Sequence, residues 1–131
     1  MINWNNLDTL TSFKELSEVE RVNLAEVMSG ENGAERVKDY SVPMTEDLTY
    51  NYAAKAVDDK VLAALAKLAK EAQLTEKYAA LYNGEVINTG EKRLVLHQLT
   101  RGQLGDKVEA DGVDKREFYV KQQQKIGRAH V

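Results

Sequence analysis

Between Asp59 and Tyr82 apolar residues recur at three- and four-residue intervals, and no other feature of this chain restricts its fold as strongly. Val61, Leu62, Leu65, Leu68 and Ala69 fall on one face of a helix, while Lys60, Lys67, Lys70 and Glu71 fall outside it. The many Ala residues of the segment add helix propensity. Asp58 or Asp59 supplies the N-cap. A second helix, capped by Thr75, carries Tyr78, Leu81 and Tyr82 as far as Asn83 and Gly84, two residue types that tolerate the left-handed conformation ending a helix. A chain built around two such helices is expected to be mainly α.

The stretch from Asn83 to Arg101, NGEVINTGEKRLVLHQLTR, is the densest in punctuation and specific polar residues. After a short extended link through Val86 and Ile87, Asn88 is placed as an N-cap with Glu91 three residues later, the spacing of a capping box. Leu94, Val95 and Leu99 would then form the apolar stripe of a new helix. Glu91 thus has a capping reason to be where it is, and the acidic group also suits the positive helix end.

The flanking segments follow the same mixed pattern. Leu7, Leu10, Phe13 and Leu16 predict a first amphipathic helix from about Leu7 to Val19. Val22, Leu24, Val27 and Met28 continue into a short helical turn that Gly30 and Gly33 break, leaving a linker from Ser29 to Ala34. Tyr40, Val42 and Met44 alternate, as do Leu48, Tyr50 and Tyr52 beyond the polar turn Thr45 to Asp47, which predicts a small hairpin with Pro43 confining its strand to an edge. A two-stranded hairpin is marginal in water by itself, so this one is expected to lie on something else. Past Gly102, the residues Gly105, Asp106, Asp111 and Gly112 read as loop, with Val108 as a short extended contact. Asp114 and Glu117 are spaced as cap and box of a last helix, with Phe118, Val120 and Ile126 inward.

With 131 residues the chain is the size of one domain, and 43% apolar with 30% charged residues suits a folded chain rather than a disordered one. A net charge of -3 provides no electrostatic footprint for nucleic acid or an acidic membrane surface. The absence of Cys excludes disulfides, thiolate metal sites and a thiol nucleophile, and fits a reducing cytoplasm. No run approaches the ~20 apolar residues of a spanning helix, and Met1 to Leu10 does not read as an export signal. The expected partners therefore include neither nucleic acid nor membrane.

Few side chains here invite chemistry. His97 has no partners at metal-ligand or Ser-His spacing and reads as a hydrogen-bonded structural histidine. Arg93 and Arg101 are expected to pair with carboxylates such as Glu85 or Glu91, a phosphate contact being the alternative. Tyr40, Tyr50, Tyr52, Tyr78 and Tyr82 read as half-buried packing, since no basic stripe accompanies them. Asn83-Gly84 lacks both the glycine fingerprint and the lysine of a phosphate loop.

The same stretch resembles the signature of the glucose-6-phosphate isomerase family, G-E-x-I-N-x-T-E-x-R-A-V-L-H-x-A-L-R. Gly84, Glu85, Ile87, Asn88, Glu91, Arg93, Val95, Leu96, His97 and Arg101 stand at matching positions. Gly90, Leu94, Leu99 and Thr100 depart from it. The likeness extends more loosely from about Asp8 to Lys125 and is to the amino-terminal part of a much longer chain. It implies an enzyme that interconverts glucose 6-phosphate and fructose 6-phosphate by ring opening and proton transfer through an enediol, with a glutamate as base. It also implies two α/β sugar-isomerase domains with parallel sheets, a cytoplasmic homodimer, a sugar phosphate substrate, no cofactor and no metal. The family's catalytic groups lie downstream of the matched region, so the resemblance assigns no catalytic, cofactor-binding or metal-binding residue to this chain, which would be a mainly α segment with a small β-hairpin. A complete small helical protein-interaction domain is the alternative.

The last six residues, Ile126 to Val131, read IGRAHV, which is also a translation of a common short-read sequencing adapter. The expected division is therefore residues 1–125 as an incomplete amino-terminal helical segment and 126–131 as adapter read-through, with the natural frame continuing beyond Lys125.

Overall fold

The computed structural model describes residues 1–101 and 106–128. These residues form two compact units, Asn5–Ala72 and Met1–Trp4 with Gln73–Val131.

In the first unit a 3₁₀ turn, Leu7–Thr9, precedes α1, Thr11–Glu18, so the single helix expected from Leu7 to Val19 is broken at Leu10. Leu10 sits at the N-cap of α1 in extended conformation and has no side chain with which to satisfy the first amides. Then come α2, Leu24–Ser29, and α3, Gly33–Asp39. The expected linker from Ser29 to Ala34 is shorter than the sequence implied, because Gly33 opens a helix rather than breaking one. A Cβ on Gly33 would lie 2.2 Å from the Met28 carbonyl oxygen, so glycine is what lets α2 and α3 pack so closely at this corner.

The hairpin is as expected: β1, Ser41–Thr45, pairs antiparallel with β2, Leu48–Asn51, with Val42 opposite Tyr50 and an irregularity between Pro43 and Thr45. α4, Asp59–Glu71, starts at Asp58, whose carboxylate accepts from the Val61 amide at 2.8 Å. Of the helices in this unit, α1 lies against α4.

The second unit begins at Gln73, which takes φ 53°, and continues into α5, Leu74–Asn83. Thr75 is therefore inside the helix, and the expected cap is displaced two residues upstream to a left-handed Gln73 that makes no side-chain cap bond. Gly84 ends α5 at φ 77°, and the Glu85 amide reaches back to the Ala80 carbonyl at 2.9 Å. The chain then forms β3, Val86–Asn88, and β4, Arg93–Leu94, an antiparallel pair, followed by a 3₁₀ segment, His97–Arg101. Beyond Asp106 a tight hairpin joins β5, Glu109–Ala110, to β6, Val113–Asp114, through Asp111 at φ 55° and Gly112 at φ 71°, the two-residue turn in which both central residues are left-handed. Last is α6, Lys115–Arg128, capped by Asp114, which accepts from the amides of Arg116 at 2.9 Å and Glu117 at 3.2 Å.

Candidate functional site

The stretch singled out by its composition, Asn83 to Arg101, folds into a compact knob rather than the helix expected after Asn88. Asn88 and Glu91 do interact: the Asn88 side-chain oxygen accepts from the Glu91 amide at 3.1 Å, and its amide group donates to the Glu91 carboxylate at 3.4 Å. This is the bonding a cap would make, but it closes the turn between β3 and β4. The apolar spacing explains why a helix loses. Leu94 and Leu96 alternate, as in an extended chain, and Leu96 and Leu99 are three apart, the period of a 3₁₀ turn in which the Leu99 amide donates to the Leu96 carbonyl at 3.0 Å. That path puts both Leu96 and Leu99 into the core with Val108, with Leu94 and Tyr119 packed around them, and Leu99 is fully buried.

Gly84 is the close neighbour of this core. A Cβ there would fall 2.3 Å from Val108 Cγ1 and 3.5 Å from Leu96 Cδ2. Polar ties hold the parts together: Gln98 donates to the Leu81 carbonyl of α5 at 3.2 Å, Gln123 of α6 donates to the Thr100 carbonyl at 2.9 Å, and the Lys115 amide donates to the Val108 carbonyl at 2.8 Å. Arg116 Nε donates to the Asp106 carbonyl at 2.8 Å. Val108 is thus more than the short extended contact expected of it. Tyr119, which the sequence did not single out, packs inward on the cluster, whereas Phe118 and Ile126, expected inward, are exposed.

His97 is exposed in this knob. Arg93 pairs with Glu91 at 3.6 Å with both side chains in solvent, one of the two pairings expected, and of little energetic weight there. The Arg101 side chain lies outside the described residues. Among the described residues of the signature, Asn88 and Glu91 close the turn, Gln98 ties to a backbone carbonyl and Arg93 faces water.

The other unit contains an open cleft of about 640 Å³ lined by Glu26, Glu35, Arg36, Tyr40, Asp59 and Leu62 among others. Arg36 organises it and was missed in the sequence, where an arginine between Glu35 and Val37 carries no distinguishing signal. It is 8% exposed. Its Nε donates to the Ala53 carbonyl at 2.9 Å, and its Nη2 donates to Lys55 and Val57 carbonyls at 3.1 and 2.7 Å, fastening the loop that leads into α4. The guanidinium also lies 4.1 Å from the centre of the Tyr40 ring, whose hydroxyl donates to Asp59 at 3.0 Å. Partial burial, then the bond and charge of Asp59, keep the Tyr40 phenol above its ordinary value of 10.0. With three hydrogen bonds to backbone carbonyls, Arg36 holds one wall of the cleft in place.

A third cluster replaces the missing cap of α1. Glu71, placed by the helical pattern on the outer face of α4, instead faces α1. Its carboxylate accepts from the Ser12 hydroxyl, from the Ser12 amide at 2.8 Å and from the Thr11 amide at 3.2 Å. The hydroxyl first, and then the amides, hold the Glu71 carboxyl below its ordinary value of 4.5. Among the described residues no group of three or more His, Asp or Glu is arranged to hold a metal ion, and no helix is long and apolar enough to cross a membrane.

Comparison with known proteins gives this geometry its context. A sequence model of the family Phosphoglucose isomerase matches residues 51–128, a range that includes α4, α5 and the whole knob. The chain is 52% identical over 128 residues to the glucose-6-phosphate isomerase of Treponema denticola, covering 94% of this chain and 24% of that protein. It is 41% identical over 129 residues to the enzyme of that name from Treponema pallidum and 40% identical over 128 residues to that of Borreliella afzelii. The chain therefore spans 24% or less of the length of these curated relatives.

Proposed function

The chain belongs to the phosphoglucose isomerase family, and from that premise we propose that it is the amino-terminal part of an enzyme interconverting glucose 6-phosphate and fructose 6-phosphate. One observation carries the reading: 94% of this chain matches a relative of which it covers 24%. Residues 1–125 are the helical segment of the parent enzyme, and residues 126–131 are adapter read-through. The parent works in the cytoplasm as a homodimer on a sugar phosphate, and the groups that move the proton lie in the part of the polypeptide beyond these residues.

The side chains support a structural role for this segment. Isomerisation through an enediol requires a carboxylate free to take a carbon-bound proton, and donors around the substrate phosphate. Glu71 is engaged by Ser12 and Thr11, Asp59 by Tyr40, Glu91 by Asn88 and Arg93, and Asp58 and Asp114 by helix amides. Arg36 donates to three backbone carbonyls.

The test is an assay of the purified 131-residue chain beside the polypeptide encoded by an independently cloned complete gene, with glucose 6-phosphate formation from fructose 6-phosphate as the readout. The expected result is turnover by the complete polypeptide and none by the short chain above a mock preparation. Turnover by the short chain overturns the assignment of catalysis to the rest of the polypeptide, and a stop codon directly after Val131 in the cloned gene overturns the reading of the tail.

A further inference from the structure

Asparagine is followed by glycine at Asn32-Gly33 and again at Asn83-Gly84, and both asparagines are exposed. Such a pair can modify itself. The glycine amide nitrogen, after giving its proton to base, attacks the carbonyl carbon of the asparagine side chain; the bond to Nδ2 breaks, its electron pair leaves with ammonia, and a succinimide ring remains. Water then adds across one of the two imide C–N bonds and gives aspartate or isoaspartate. Glycine favours the step because it has no Cβ beside the nitrogen and its backbone turns freely.

The two pairs differ in what it costs to free that nitrogen. The Gly84 amide donates to the Leu81 carbonyl at 3.2 Å, the Glu85 amide donates to the Ala80 carbonyl at 2.9 Å, and Ala80 is buried. Gly84 also lies against Val108 and Leu96, so Asn83 reacts only after the knob has opened. Asn32 stands outside regular structure, at φ -94° and ψ 8°, and its side chain makes no bond to the helix that follows. The Gly33 amide is held by the Gly30 carbonyl at 3.0 Å, in the turn between α2 and α3. Of these two short helices α2 buries none of its residues and α3 buries Gly33 and Arg36, so releasing the turn breaks up no apolar core.

We propose that Asn32-Gly33 is a self-modification site, converted in the folded protein to aspartate and isoaspartate, and that isoaspartate there loosens the loop from Ala53 to Val57. Isoaspartate puts one more carbon into the main chain just before Gly33, where even a Cβ would lie 2.2 Å from the Met28 carbonyl oxygen. α3 cannot then keep its place against α2. Arg36, one turn further on, is carried with it, and its guanidinium is the donor to the Ala53, Lys55 and Val57 carbonyls. The aspartate product keeps the original main chain and leaves those bonds in place.

The test incubates the polypeptide encoded by the complete cloned gene in mildly alkaline buffer, folded and in urea. Peptide mapping follows both pairs, with isoaspartate labelled by a protein isoaspartyl methyltransferase. In urea the two are expected to convert at similar rates. In the folded polypeptide Asn83 is expected to slow by about tenfold or more and Asn32 by no more than about threefold. Equal slowing of the two, or faster conversion at Asn83, overturns the site. Hydrogen exchange reads the consequence: the Lys55 and Val57 amides, which donate to the Tyr52 and Lys55 carbonyls at 2.9 and 2.8 Å, should exchange about tenfold faster in the isoaspartate form. Asn32→Gln, whose longer side chain closes the ring far more slowly, should stop both the conversion and the acceleration. Freshly prepared Asn32→Asp, which brings the charge without the extra main-chain carbon, should exchange like the unmodified protein. Unchanged exchange in the isoaspartate form, or acceleration already present in Asn32→Asp, overturns the link through Arg36.

Discussion

Gly84 answers to two separate demands, a left-handed backbone and a neighbour that leaves no room for a Cβ. Gly112 faces only the first, at φ 71° with nothing within 4 Å of the added carbon. Gly84→Ala is therefore expected to cost about 2–4 kcal/mol, the sum of left-handed strain and overpacking against Val108, and Gly112→Ala only about 1 kcal/mol. Urea unfolding of the two variants compares them directly, and equal losses would remove Val108 from the account. Arg36→Met should cost about 3 kcal/mol, because the carbonyls of Ala53, Lys55 and Val57 lose their donor in a partly buried loop. Glu71 sets an acid dependence. Its folded-state value lies below the ordinary 4.5, so its contribution to stability is complete above that pH and is lost as the pH falls from 4.5 through the depressed value. Hydrogen exchange at the Thr11 and Ser12 amides should therefore accelerate below pH 4.5 beyond the intrinsic rate, and Glu71→Gln should remove that pH dependence. The Gly84 turn could be read from its residue type; the Glu71 contact could not, because its partners lie 59 and 60 residues away.

At the scale of elements, the capping signals were sound as chemistry and misleading as geometry in one place. Asp58 and Asp114 both accept helix amides where the sequence put them. Asn88 and Glu91 bond with the same spacing yet close a strand turn, since an Asn side chain accepting from the amide three residues on is common to a helix cap and to a tight turn. The two variants separate the cases. Asp114→Ala is expected to cost about 1 kcal/mol and to lower helicity measured by circular dichroism, whereas Asn88→Ala costs about 0.5–1 kcal/mol with helicity unchanged. A fall in helicity for Asn88→Ala would restore the helix expected there. The Asp111-Gly112 turn was legible too, as an Asp-Gly pair before Val113, but it was read only as loop; β5 and β6 are two residues each, too short for alternation to register.

Across the whole molecule, large buried side chains are scarce. Among the described residues the core of one unit is Leu96, Leu99 and Val108, and the other unit buries only alanines, Ala53 and Ala72, among its apolar residues. Polar contacts such as those of Arg36 and Glu71 carry much of the unit Asn5–Ala72, and each contributes only about 1 kcal/mol net. The 131-residue chain is accordingly expected to unfold over a broad thermal range with a calorimetric enthalpy well below the ~0.7 kcal/mol per residue typical of compact domains. A sharp transition at the usual enthalpy would show that the chain is self-sufficient.

What the sequence determined by itself is what rests on near neighbours: the helices α4, α5 and α6, a cap at Asp58 or Asp59 and one at Asp114, the Gly84 stop, the β1–β2 hairpin and the likeness carried by Gly84 to Arg101. Each depends on residues within a few positions, where spacing and residue type settle the conformation. The tertiary structure decided the rest. Whether Asn88 caps a helix or closes a hairpin depends on Leu96 and Leu99 reaching Val108. Whether α1 needs a cap of its own depends on Glu71, and why Arg36 is buried depends on three carbonyls 17 to 21 residues away. A local pattern cannot encode such choices, because the energy that makes them comes from burial and hydrogen bonds between segments that meet only when the chain has folded.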